Sequence, residues 1–196
     1  RRDGVHGRRC YRCRVHETPD HDVRIRRIRP DDGLVLRDLR LRSIADAPDA
    51  FGQPLEEARG RPEKDWHRSA RQSSRGDSRT WLIAETPDGS VGLVQGRKRR
   101  PSTLLLFSMW VDPSVRRLGV GRLLIEALED WARGWDGAET ILWVLGANAA
   151  AIGFYRDLGF SIIRGGQDAE SGARFGALAM RRAIRYPARE NGRQSS

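Results

Sequence analysis

Hydrophobic and polar positions first fall into register at Val23-Arg24-Ile25-Arg26-Arg27-Ile28, an alternating stretch that predicts a short strand ending at Pro30. Asp31-Asp32 then opens a helix carrying Leu34, Leu36, Leu39 and Leu41, which Ala47-Pro48-Asp49-Ala50-Phe51-Gly52 breaks. A second, more polar helix is predicted after Pro62, through Trp66 and Ala70, up to the polar cluster at Ser73 to Ser78. Trp81 to Glu85 and Val91 to Gln95 flank Thr86-Pro87-Asp88-Gly89, a turn sequence that predicts an antiparallel hairpin. Leu104 to Val111 is apolar at almost every position, as a strand buried on both faces is, and Asp112-Pro113 ends it.

Beyond Gly121, Leu124, Leu128, Trp131 and Trp135 recur at helical spacing, and Thr140 to Val144 follows as a strand. Asn148 suits the N-cap of a helix through Ile152, Tyr155 and Leu158, with Gly159 placed for a left-handed C-terminal turn. Phe160 to Ile163 reads as a strand, Gly165 to Gly172 as a polar loop and Phe175 to Met180 as the last strand. The order β–α–α–β–β–β–α–β–α–β–β predicts an α/β fold, a mixed sheet of about seven strands flanked by about four helices. Its patterned part is a single domain over residues 23–183. Residues 1–22 read as a disordered Arg-rich leader and residues 184–196 as a disordered basic tail.

Composition changes this picture little. With 196 residues the chain can bury a substantial core. Its longest apolar run is far short of the roughly 20 residues that span a bilayer, so no membrane partner is expected and the cytoplasm is the favoured location. The net charge of +10 sits mainly at the ends, where residues 1–22 carry six Arg against four acids and residues 181–196 five Arg against Glu190. Nucleic acid is therefore a disfavoured partner, testable by the salt dependence of any binding through those ends.

The sharpest chemistry lies at Met109-Trp110-Val111-Asp112-Pro113-Ser114-Val115-Arg116-Arg117-Leu118-Gly119-Val120-Gly121-Arg122, where a buried strand, a basic glycine-containing loop and an amphipathic helix meet. Glycines let main chain approach a phosphate, and the first N–H groups of a helix lack internal partners, so such a junction suits a pyrophosphate. The third glycine of a dinucleotide fingerprint and the Lys-Ser/Thr of a P-loop are both missing.

Arg116-Arg117-Leu118-Gly119-Val120-Gly121 resembles the pyrophosphate loop of the GNAT superfamily, Arg/Gln-x-x-Gly-x-Gly/Ala. At the family's spacing, Asn148-Ala149-Ala150-Ala151-Ile152-Gly153-Phe154-Tyr155-Arg156-Asp157-Leu158-Gly159-Phe160 resembles its Asn-x-x-Ala-x-x-x-Tyr-x-x-x-Gly-Phe motif. The resemblance implies a GNAT fold and an acyltransferase that moves acetyl from acetyl-CoA, its co-substrate, to a small-molecule or peptide amine. It also implies that Met109, Trp110 and Val111 pair through main chain with the pantetheine arm. Arg116, Arg117, Leu118, Gly119, Val120, Gly121 and Arg122 would then hold the pyrophosphate, Asn148 would help hold CoA, and Tyr155 would bind it and protonate the departing thiolate. Where some members carry a glutamate this chain has Trp143, which leaves the base open among Glu85, Glu56, Glu57, a water chain or an acceptor arriving neutral. An acyl-CoA-binding module without turnover is the alternative.

The remaining candidates weaken on inspection. Trp110, Trp131, Trp135 and Trp143 lie in apolar elements and read as packing residues. Cys10, Cys13, His16 and His21 have zinc-ligand chemistry but not the spacing of a zinc finger, and no metal is expected. A Ser-His-Asp hydrolase would have to use His67, the one histidine of the patterned region, and no Gly-x-Ser-x-Gly elbow accompanies it. Monomer and homodimer both suit the chain.

Overall fold

The computed structural model describes residues 22–99, 101–165, 167–173 and 176–186. Cys10, Cys13, His16, His21, Phe175 and most of both proposed disordered ends lie outside them. The strands are β1 (Arg24–Arg27), β2 (Arg79–Thr86), β3 (Gly89–Arg99), β4 (Thr103–Val111), β5 (Glu139–Leu145), β6 (Ser161–Ile162) and β7 (Ala177–Ala183). Among the described residues the helices are α1 (Gly33–Asp46), α2 (Pro48–Phe51), α3 (Leu55–Gly60), α4 (Glu63–Arg75), α5 (Val120–Arg133), α6 (Ala149–Asp157) and α7 (Gln167–Ala173). The α/β fold is the one expected, with seven strands and four longer helices. The short helices α2, α3 and α7 occupy segments that the sequence pattern leaves as loop.

The strands form one sheet in the order β1-β2-β3-β4-β5-β7-β6. Every neighbouring pair is antiparallel except β4 and β5, which run parallel. One face carries α5 and α6 over a core that includes Leu82, Val94, Leu104, Leu124, Leu128, Leu142 and Met180. The other carries α1 and α4 over Leu36, Leu39, Trp66, Ile83, Leu93 and Trp110. Helix α5 is therefore amphipathic because its Leu124, Ile125 and Leu128 face the sheet, and each such burial stabilises by roughly 1.5–3 kcal/mol.

Two buried ionic groups lock these layers. Asp32 begins α1 but its side chain does not cap it. The carboxylate instead accepts from Arg26 and from the Arg29 main-chain N–H at 2.6 Å, while Arg26 also reaches Glu85 at 2.7 Å. Burial alone would lower the Arg26 pKa, but the hydrogen bonds to Glu85 and Asp32 win and raise it. Under α5, the buried Glu129 accepts from Thr140 at 2.9 Å and from Arg182 at 3.1 and 2.8 Å. Arg182 also donates to the Leu158 carbonyl at 2.6 Å, so α5, β5, β7 and the end of α6 are tied at one point.

Candidate functional site between β4 and β5

Strands β4 and β5 pair from Thr103↔Glu139 to Leu106↔Leu142 and then part. The cause is visible in β4. Between Gln95↔Phe107 and Leu93↔Trp110, two steps on β3 face three on β4, and Ser108 takes φ 49°. This bulge bends the strand away from β5 and leaves its edge beyond Leu106 unpaired on that side. A cavity of about 550 Å³ opens in the gap.

Its lining comes from four directions. Strand β4 supplies Phe107, Ser108 and Met109, β5 supplies Trp143 to Leu145, α6 supplies Ala151 and Tyr155 beside the capping Asn148, and α7 supplies Asp168, Ser171 and Gly172. Ala50 and Phe51 of α2 and Arg99 of β3 complete the rim. Asn148 accepts from the Ala151 N–H at 3.0 Å, the capping bond expected of it. Tyr155 is buried, packed edge-on against Phe154 and Phe160, with its hydroxyl 3.6 Å from the Met109 sulfur. Burial raises its pKa above the ordinary phenol value, so it remains a neutral O–H donor.

The glycine loop stands just outside this cavity. Arg117 and Gly119 both have left-handed main chain, φ 65° and 84°, on either side of Leu118. Gly119 is the N-cap of α5 and offers no side chain to cap it, and no acid occupies the first turn. The first-turn amides thus present a dipole and donors to an anion. A Cβ on Gly121 would lie 3.0 Å from both Met109 Cε and Phe154 Cζ, so glycine lets the helix start press against the cavity wall. Val120 is buried, Leu118 packs on the core edge and Arg122 is exposed.

Met109, Asn148 and Tyr155 therefore meet in one cavity. Trp110 points to the opposite face, buried under α1 and α4, its indole donating to Asp46 at 2.8 Å. The Arg116 side chain is also turned toward Asp46 and donates to the Val111 carbonyl at 3.0 Å. Of the three acids considered as a base, Glu85 is paired with Arg26, and neither Glu56 nor Glu57 lines the cavity. Trp143 is half-buried, stacked on Phe107 with centroids 5.9 Å apart, and donates to the Asp168 carbonyl at 2.9 Å. Asp168 itself holds Arg99 in a two-pronged pair at 2.6 and 3.0 Å. Arg99 and Asp168 escape sequence reading because 69 residues separate them and neither sits in a motif.

The model of the acetyltransferase (GNAT) family matches residues 42–160, well over half of the chain. The chain belongs to the GNAT acetyltransferase family. It is 45% identical over 56 residues to the ribosomal protein bS18-alanine N-acetyltransferase of Escherichia coli (strain K12), a stretch covering 29% of this chain and 38% of that relative. Its fold matches a GNAT-family acetyltransferase of Streptococcus pneumoniae, with TM-score 0.65, 20% identity and 83% and 99% of the two chains covered. It also matches the PaiA N-acetyltransferase of Thermoplasma acidophilum in complex with coenzyme A, with TM-score 0.65, 15% identity and 82% and 98% covered. As a GNAT protein, the chain carries its glycine loop at the start of α5, just outside the cavity, and Asn148 and Tyr155 at α6, which lines it. No described helix is long and apolar enough to cross a membrane, and no group of three metal-ligating side chains occurs among the described residues.

Proposed function

We propose that the protein is an N-acetyltransferase that transfers acetyl from acetyl-CoA to a primary amine of a small molecule or peptide, by direct attack in a ternary complex. The observation that carries this reading is a convergence: an uncapped, glycine-opened helix start next to a cavity that holds a buried neutral phenol and an unpaired strand edge. The residues fit the co-substrate. Arg116 to Arg122 would hold the pyrophosphate mainly through main chain, the free edge from Met109 to Val111 would pair with the pantetheine amides, and Asn148 would border the arm.

Acetyl-CoA supplies the thioester. Main-chain N–H near Val111 would polarise its carbonyl as the amine nitrogen bonds to the carbonyl carbon. As the carbon–sulfur bond breaks, Tyr155 would give its proton to the sulfur, the amine would lose its own proton to solvent, and a proton from solvent would restore the phenol. Burial makes Tyr155 a weaker acid, but it also raises the proton affinity of a thiolate in the same cavity, so the match is kept. A second reading, a binding module without turnover, is favoured by one observation: an indole at residue 143, stacked on Phe107, where a base would stand.

Calorimetric titration of acetyl-CoA into the wild-type chain and into a Gly119→Trp, Gly121→Trp double variant tests the binding. Saturable binding that falls at least 100-fold in the folded variant is expected, and no binding by the folded wild type overturns the reading. Release of free CoA thiol with candidate amines separates transferase from binding module.

A further inference from the structure

One cross-strand row of the sheet is unusually rich in cations. Arg79 of β2 lies opposite Arg97 of β3, Arg97 opposite Leu105 of β4, Leu105 opposite Ile141 of β5, and Ile141 opposite Arg181 of β7. Directly opposed residues share a face, so all three guanidinium groups stand on the side that carries Phe107 and Trp143. Arg97 and Arg181 are exposed and Arg79 is half-buried. None of the three forms an ion pair among the described residues: Arg97 donates to Gln95 at 3.0 Å and Arg79 to Gln72, both neutral amides. Two like charges directly opposite one another, as Arg79 and Arg97 are, cost a sheet stability.

The neighbouring row shows a compensated arrangement. There Arg99 lies opposite Thr103 and Thr103 opposite Glu139, and Arg99 is held by Asp168. Its pKa is raised, first by the Asp168 hydrogen bond and further by the charges of Asp168 and Glu139. Glu139 and Asp168 thus answer Arg99, whereas no ion pair among the described residues answers the first row. That row also adjoins the cavity: the Arg97 guanidinium sits 5.1 Å over the ring of Phe107, which lines it.

We propose that the β3–β2 half of this row, Arg97 and Arg79, is a docking strip for an acidic acceptor polypeptide, whose amine enters the cavity between β4 and β5 and whose following residues run outward over the Phe107 ring in extended form. The inference rests on the transferase reading above and names its substrate class. From β4, where the cavity opens, to Arg79 is two inter-strand steps, about 10 Å, which about three extended residues span, whereas toward Arg181 the row passes the buried Ile141. Carboxylates on such a segment supply the counter-charges that the row lacks, while Leu105 and the Phe107 ring offer apolar contact between them.

The test compares three synthetic hexapeptides with free amines, each Ala followed by five alternating Asp and Glu, Asn and Gln, or Lys and Arg residues. Acetylation is followed by CoA release and by mass. At about 50 mM salt the acidic peptide should show at least tenfold higher kcat/KM than the neutral one, with the basic one slowest, and the gap should narrow at about 500 mM salt. An Arg79→Gln, Arg97→Gln double variant should bring the acidic-to-neutral ratio to within twofold, while Arg79→Lys, Arg97→Lys keeps most of it. Equal rates for the three peptides, or a ratio untouched by the glutamine variant, overturns the proposal. So does a chain that binds acetyl-CoA but acetylates no peptide, an outcome that leaves the transferase reading standing for small amines. A single-stranded oligothymidylate that binds the strip as tightly as the acidic peptide also overturns it, in favour of phosphate recognition. Failure to bind acetyl-CoA strikes the transferase reading itself.

Discussion

On one side of the cleft between β4 and β5, the proposed donor side, the groups that would meet a ligand are main chain: the free edge of β4 and, just outside the cavity, the loop from Arg116 to Gly121 with the first turn of α5. On the other wall, the proposed acceptor side, they are side chains from distant segments: Phe51 of α2, Arg99 of β3, Trp143 of β5 and Asp168 of α7. The difference reflects the ligands each wall would serve. An invariant diphosphate can be held by peptide N–H groups, which depend only on backbone shape. An acceptor must be told from other amines, and only side chains carry that information.

This comparison can be broken in four places. The largest effect is expected where the main-chain wall rests on its support. Glu129→Ala leaves Arg182 without its carboxylate and Thr140 without its acceptor, and should lower stability by about 3 kcal/mol in denaturant unfolding. Tyr155→Phe comes next, about 100-fold lower kcat with acetyl-CoA affinity within twofold. Because burial holds the phenol above its ordinary pKa near 10, that deficit should stay constant from about pH 6 to 9. A deficit that changed across this range would remove the proton-donor role.

Asp168→Asn then probes the side-chain wall alone. It cuts the ion pair that ties α7 to Arg99, and should raise the acceptor KM about tenfold, roughly 1.4 kcal/mol, with the acetyl-CoA KM within twofold. Equal changes in both KM values would mean that the walls are not separate. Asn148→Ala is the smallest, about 1 kcal/mol of stability from the lost N-cap, read as a shift in denaturant midpoint.

How far each wall could be read from sequence follows the same division. Gly119 and Gly121 stand out because left-handed main chain at one and close approach to Met109 and Phe154 at the other admit little else. The Asn148 cap, the helix behind it and Gly159 at φ 87° are equally local events. The short helices α2, α3 and α7, of four, six and seven residues, lack enough turns for a period to show. Their helical state depends on the packing around them. Glu56, Glu57 and Glu85 were reasonable as bases by residue type, yet Glu85 is committed to Arg26 and the other two lie off the cavity.

By itself the sequence determined the order of the strands and of the four longer helices, the α/β class, the glycine-opened helix start and the relative spacing of Asn148 and Tyr155. These follow from hydrophobic period and from residues with few conformational alternatives, both of which act over a few positions. Only the tertiary structure decided that β4 would bulge at Ser108 and part from β5. It also decided that Arg99 would meet Asp168, and that Arg79, Arg97 and Arg181 would share one row. Strand register and helix docking set those meetings, and both are properties of the whole sheet rather than of any stretch of chain.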